Sequence, residues 1–207
     1  MARRNDHHRD DLKKIIHQTA TEIIQTQGIS GLTARALAHK IGYSLGTIYN
    51  VYPDMDALKQ DINLTTLQLL HQTCINGLSD AGTDALPRLK KLALIYVDFA
   101  KDNHALWQLL FALPVNPKQT ERQWDDLPTP YQDQLQKLFG LIEENLQIHP
   151  AIPKPYISKL AKLLWVSLHG FSMLCLDGRV STLGLGKAED LVALLLNQFD
   201  IAPKTKA

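Results

Sequence analysis

The 207-residue sequence holds only two cysteines, Cys74 and Cys175, far apart and outside any metal-ligand spacing. That removes disulfide scaffolds and zinc-ribbon proteins, and leaves two small buried hydrophobes as the expectation. Long apolar runs are also missing. The most apolar stretch, residues 160–176, carries Lys162 and His169 and is too short and too polar for a good membrane span. No apolar run follows the start MARRNDHHRD, so a secretory signal is not expected and the cytoplasm is the expected compartment. The glycine and nucleophile patterns of nucleotide-binding and hydrolytic enzymes are absent, as are the paired His or Cys of metal and redox sites. No enzyme activity, cofactor or metal is therefore expected. Nor is there an alternating strand pattern, a short repeat or a low-complexity tract.

What is present is helical periodicity, 45% hydrophobic residues and a net charge of +1. Charge is unevenly spread. Residues 1–60 hold 8 Lys/Arg against 6 Asp/Glu, and the remainder 14 against 15. A compact DNA reader needs a local basic face, so this asymmetry is permissive. Apolar residues at a 3.6 period predict a first helix over 9–27. A short helix over 33–41 follows with Thr33 as its cap, then a Gly42-Tyr43 turn and a third helix from Ser44 to near Tyr52. Longer helices are expected over 54–78 and from about Pro87 to 103, with an apolar piece over 104–113. The proline-bearing 114–130 stretch reads as a loop. Three helices over 131–148, 155–177 and 187–199 close the chain.

Residues 32–52 carry the functional argument. Two short helices meet at a glycine turn, with small Ala38 where they must cross closely and Leu37, Ile41 and Ile48 locking the pair. Ser44, Thr47, Tyr49 and Asn50 are left to project from the second helix. That arrangement suits docking in the DNA major groove, with side chains aimed at base edges. Gly46 weakens a helix, which makes sense where a backbone must approach DNA without a Cβ in the way.

The order Thr33, Ile41-Gly42, Ser44-Leu45-Gly46-Thr47-Ile48-Tyr49, Tyr52-Pro53-Asp54 and Leu58 resembles the tetracycline-repressor (TetR) family over residues 9–69. The resemblance implies an all-α fold: a three-helix helix-turn-helix domain over 9–69, then a helical effector-binding and dimerisation domain of about six helices over 70–207. It implies a double-stranded DNA operator as partner, a homodimer, and repression relieved by a small molecule. Carried over by position, Thr33, Thr47, Tyr49 and Tyr52 sit at or near phosphates, with packing inside the small domain as the alternative for the two tyrosines. Arg35, Ser44 and Asn50 contact phosphate or base, Arg35 and Asn50 being suited to bidentate base readout. Leu45 and Gly46 complete the reading segment. Two positions depart from the family pattern: Leu45 stands where a basic residue is common, and Met55 where a lysine is. Arg3, Arg4 and Arg9 are either a minor-groove arm or a solvated tail.

Further along, Trp165, His169 and Gly170, followed by 176-Leu-Asp-Gly-Arg-179, resemble a Trp-His-Gly type of C-terminal domain in the same family. Trp165 and His169 share a helix face and, with Tyr96, Phe99, His104, Trp107 and Phe111, are candidates to line an effector pocket; ordinary core packing is the alternative. No basic cluster marks the body, so a mostly apolar or aromatic effector is expected. The last two long helices are apolar on more than one side, which a partner subunit would bury, with a place as central core helices of one chain as the alternative. Leu164, Leu168, Leu191 and Leu195 are the expected interface residues.

Overall fold

The computed structural model describes residues 9–112, 127–148, 152–182, 184 and 187–198. The candidate arm at Arg3 and Arg4 and residues 114–126 of the expected loop lie outside them. Among the described residues all regular structure is helical: α1 Arg9–Gln27, α2 Ala34–Ile41, α3 Leu45–Val51, α4 Met55–Leu78, α5 Ala85–Asp102, α6 His104–Ala112, α7 Thr129–Ile148, α8 Ile157–Leu176, α9 Arg179–Thr182 and α10 Ala188–Gln198. Single 3-10 turns at Ile29–Gly31 and Lys154–Tyr156 precede α2 and α8. The all-α expectation holds.

Two compact units form. The first comprises the described residues through Thr66 together with those from Asn103 to Ala112. Its core is Ile16, Ala20, Ile23 and Ile24 of α1 packed on Leu37, Ala38, Ile48, Leu58 and Ile62. Leu106 and Leu109 of α6 complete that core. This departs from the sequence boundary at 69/70, which assigned everything after it to the second domain. The physical reason is that the apolar stripe of α6 packs on α1; a stripe announces that a helix is buried but not which core receives it. Asn63, fully buried on α4, donates Nδ2–H to the Leu109 carbonyl at 3.1 Å and so fastens α6 to this unit. Truncating a residue as enclosed as Leu37 or Leu109 to alanine costs about 2–5 kcal/mol.

The helix starts are fixed by short polar side chains. Thr33 Oγ1 accepts from the Ala36 amide at 3.1 Å, Ser44 Oγ from the Thr47 amide at 3.2 Å, and Asp54 Oδ1 from the Ala57 amide at 2.7 Å. Each satisfies an amide that the first helical turn leaves without a carbonyl, a contribution of about 1 kcal/mol per cap. Gly42 ends α2 at φ 74°, the left-handed conformation that glycine adopts without penalty. The chain then reverses tightly, with the Tyr43 amide donating to the Ala38 carbonyl at 3.1 Å.

The second unit holds Leu67–Asp102 and the described residues from 127 onward. Here α5 is central, packing on α7, α8 and α10, while α7 also packs on α8. Arg88 Nε donates to Asn145 Oδ1 at 2.7 Å, joining α5 to α7. The buried stripe of α8 is Ile157, Ala161, Leu164, Leu168 and Ser172. Two of the four expected dimer leucines, Leu164 and Leu168, are therefore interior residues of one protomer, and Leu191 and Leu195 of α10 are half-buried. The solvent-facing apolar residues are others: Leu163, Val166 and Met173 on α8, and Leu194 on α10. Both sides of α8 are apolar, so periodicity could not say which side faces inward. Lys154–Leu176 reaches a mean hydropathy of 1.2, long and apolar enough to cross a membrane by length and composition. Its buried stripe and the exposed Lys159 and Lys162 fit a helix packed within the unit.

Candidate functional site

The α2–turn–α3 segment presents one open face. Ile48 is the buried residue of α3, and it points the opposite side of that helix outward. At about 100° per residue, Gly46 and Asn50 fall near the centre of this outward face, and Leu45 and Tyr49 on one flank of it. Leu45 is 40% exposed and Tyr49 46% exposed. Asn50 is exposed, as are Thr33 and Arg35 at the start of α2. Most of the expected contact residues are therefore exposed. Ser44 and Thr47 are already engaged: their hydroxyls lie 2.9 Å apart, and Ser44 also caps α3. Their first role is to hold the helix start.

A Cβ built on Gly46 would meet only Ser44 Oγ, at an ordinary 3.7 Å. Nothing among the described residues requires glycine there, and its φ lies outside the left-handed region. A residue that weakens the helix and serves no internal packing contact suits a surface approached closely from outside.

Tyr52 does not join this face. It is 4% exposed, and its hydroxyl donates to Asp61 Oδ2 at 2.6 Å. Of the two sequence readings for Tyr52, the buried ring and its engaged hydroxyl fit core packing. Burial, followed by the hydrogen bond to Asp61 and its negative charge, pushes the phenol pKa far above its ordinary value. Lys13 Nζ reaches Asp61 Oδ2 at 3.0 Å and lies 5.6 Å from the Tyr52 ring centroid. Burial alone would raise the Asp61 pKa. The Tyr52 hydrogen bond, the hydrogen bond and charge of Lys13, and the charge of His17 outweigh it and hold the carboxyl below its ordinary value. Asp61 thereby ties α1 and the end of α3 to α4 and fixes the angle at which α3 is presented. The sequence offered no signal for this junction, because its members lie on three separate elements.

The second unit encloses a cavity of about 50 Å³. Leu89, Leu92 and Tyr96 of α5, Leu138 and Leu141 of α7, Leu164, Trp165 and Leu168 of α8, and Leu195 of α10 contribute to its wall, with Cys74 of α4. Three of the expected dimer leucines, Leu164, Leu168 and Leu195, are thus cavity residues. Of the expected pocket residues, Tyr96 and Trp165 line it; their rings meet edge-on at 4.9 Å between centroids. His169 stands behind Tyr96, with Nδ1 3.0 Å from its hydroxyl. Phe99 is buried in α5 away from the lining, and His104, Trp107 and Phe111 belong to α6 in the first unit. Sequence reasoning missed Leu138, Leu141 and Ile142, because α7 carried no aromatic or motif signal at those positions. Burial lowers the His169 pKa to about 4 and raises the Cys74 thiol to about 12, so both are neutral at physiological pH. The cavity therefore presents no charge from either.

The body matches a family model. Residues 89–199 fit the tetracyclin repressor-like C-terminal domain, a match spanning more than half of the sequence. The chain belongs to the tetracycline-repressor family. It is 27% identical over 109 residues to the uncharacterized HTH-type transcriptional regulator YobS of Bacillus subtilis, a match covering 53% of this chain and 56% of that one. The chain thus aligns with a little over half the length of that curated relative. Two solved structures share the fold. The TetR transcriptional regulator from Legionella pneumophila superposes with a TM-score of 0.58 at 15% identity, over 96% of this chain and 99% of that one. BioQ, solved with its natural double-stranded DNA operator, superposes with a TM-score of 0.60 at 15% identity, over 91% and 99%.

Proposed function

We propose that this protein is a sequence-specific DNA-binding transcriptional regulator, acting as a homodimer and as a repressor released by a small uncharged apolar effector. The observation that carries the reading is the open face of α3, with Gly46 and Asn50 at its centre and Leu45 and Tyr49 on one flank. Membership of the family and the operator-bound state of BioQ support it. Two copies of the reading head would meet two half-sites, which is how helix-turn-helix dimers gain affinity and specificity.

The exposed apolar side chains Leu163, Val166 and Met173 of α8, with Leu194 of α10, are the surface assigned to the dimer, since water disfavours leaving apolar area open. The cavity supports the effector. An aliphatic and aromatic wall with the neutral Cys74 thiol, and neutral His169 behind Tyr96, favour an uncharged ligand, whereas an anion would lose its hydration without compensation. At about 50 Å³ the cavity is smaller than the roughly 150 Å³ that admits benzene in an engineered core, so entry displaces wall side chains. That displacement gives the effector a different affinity for two states of the body, the requirement for coupling to DNA.

The test is a gel shift on the upstream region of the protein's own gene, comparing the native chain with the Arg35→Ala, Asn50→Ala double variant. Loss of the specific shift with the dimer intact supports the reading. Unchanged affinity would remove these two residues from the interface, and no specific shift by the native chain would favour a helical interaction protein that has lost DNA binding.

A further inference from the structure

The reading face of α3 is neutral. Residues 44–52 contain no Lys, Arg, Asp or Glu, and their exposed side chains include two large apolar ones, Leu45 and Tyr49. Leu45 is the first residue of α3, and Tyr49 follows one turn later on the same edge. Neither belongs to the core of the first unit, to which α3 contributes Ile48. In the major groove only thymine offers an apolar group, its C5-methyl; the other base edges offer donors and acceptors. A leucine can read nothing else there.

We infer that Leu45 is a specificity-determining residue that selects a thymine in each half-site by packing against its C5-methyl group, with Tyr49 closing the same apolar edge. The inference rests on the DNA-reading function proposed above and names what one edge of that surface reads. It explains why leucine is tolerated at an exposed position in the reading segment. A hydrocarbon side chain there is a poor phosphate ligand and a good methyl ligand. Beside Gly46, one turn on, Asn50 has the donor–acceptor pair suited to adenine, so this face as a whole favours A·T pairs near the half-site centre. The open position at Gly46 lets the face approach the base pairs, since no Cβ stands there.

The experiment begins with selection of bound sequences from a random duplex library by the full chain. Each thymine of the enriched duplex is then replaced by deoxyuridine, which keeps the base pair and removes only the methyl. Affinity is read by fluorescence anisotropy for the native chain and for Leu45→Ala. The expected result is a loss of about three- to fourfold at one thymine per half-site, and on the order of tenfold when both half-sites are changed, the scale of one buried methyl each. Leu45→Ala should bind the thymine and uracil duplexes equally. The inference is overturned if no thymine-to-uracil change affects the native chain, or if the loss persists undiminished in Leu45→Ala. The base change leaves the protein untouched, so the first arm decides whatever the variant's folding. If the library yields no enriched sequence, the DNA-reading function itself fails, a result distinct from enrichment without methyl dependence.

Discussion

Replacing Gly46 with alanine separates stability from function, because the two should move in opposite directions. The glycine lies in the first turn of α3 with ordinary helical backbone, and a Cβ there would have Ser44 Oγ as its nearest neighbour at 3.7 Å. With no clash and no left-handed φ, Gly46→Ala restricts the unfolded chain and favours the helix. Full helix-interior replacements give about 0.4–1 kcal/mol, and a first-turn position belongs at the lower end, about 0.5 kcal/mol. For a chain of this size that is a rise in Tm on the order of 1–2 °C. On DNA the same methyl group stands at the centre of the outward face and holds Leu45 and Asn50 away from the base edges. Losing one good base contact costs about 1–3 kcal/mol, or roughly five- to 150-fold in affinity per reading head. Thermal unfolding and anisotropy titration on the enriched duplex measure the two quantities. A variant that is more stable and binds as tightly as the native chain would refute the reasoning that Gly46 exists for close approach. One that is less stable would refute the geometric premise.

Four further outcomes are expected. Tyr52→Phe removes the hydrogen bond to Asp61 and should cost about 1.5–3 kcal/mol in chemical denaturation, since the acceptor is charged; a change below about 0.5 kcal/mol would show that Lys13 alone holds Asp61. The depressed Asp61 pKa makes its contribution to stability complete above the ordinary carboxylate value near 3.8 and lost as pH falls through the lower folded value, so Asp61→Asn should flatten the acid limb of the stability curve. His169 also has a depressed folded pKa, about 4 against an ordinary 6.5: the unfolded chain takes up the proton first, stability falls as pH drops from 6.5 towards 4, and His169→Gln should weaken that slope. Finally, Val166→Asp places a charge on a side chain that is 64% exposed, so it should spare the folded protomer but shift sedimentation from dimer to monomer; an unchanged dimer would move the interface elsewhere.

The first unit was largely legible in the sequence because its signals are local. Thr33, Gly42 and Ser44 each act within a few residues, through a cap or a left-handed turn, and the structure places α2 and α3 where those residues imply. Features that depend on convergence from distant elements were not legible. Tyr52 looked equally fit for phosphate or core until Asp61, nine residues on, was found to receive its hydroxyl. The aromatic run in 104–111 looked like pocket lining, yet α6 spends its apolar stripe on α1. On α8 both faces are apolar, so the interior stripe through Leu164 and Leu168 and the outward one through Leu163 and Val166 could not be told apart by periodicity. The cavity draws its wall from five helices, and only Tyr96 and Trp165 stood out by residue type.

The central claim is that the neutral face of α3 reads DNA sequence. Its most direct test is an anisotropy titration of the full chain, at physiological salt, onto the enriched duplex and onto a scrambled duplex of the same composition. The account predicts binding at least about a thousandfold tighter to the enriched duplex, within the usual range for specific regulators, with protected bases in two half-sites about one helical turn apart or a multiple of that. Equal affinity for the two duplexes would contradict it.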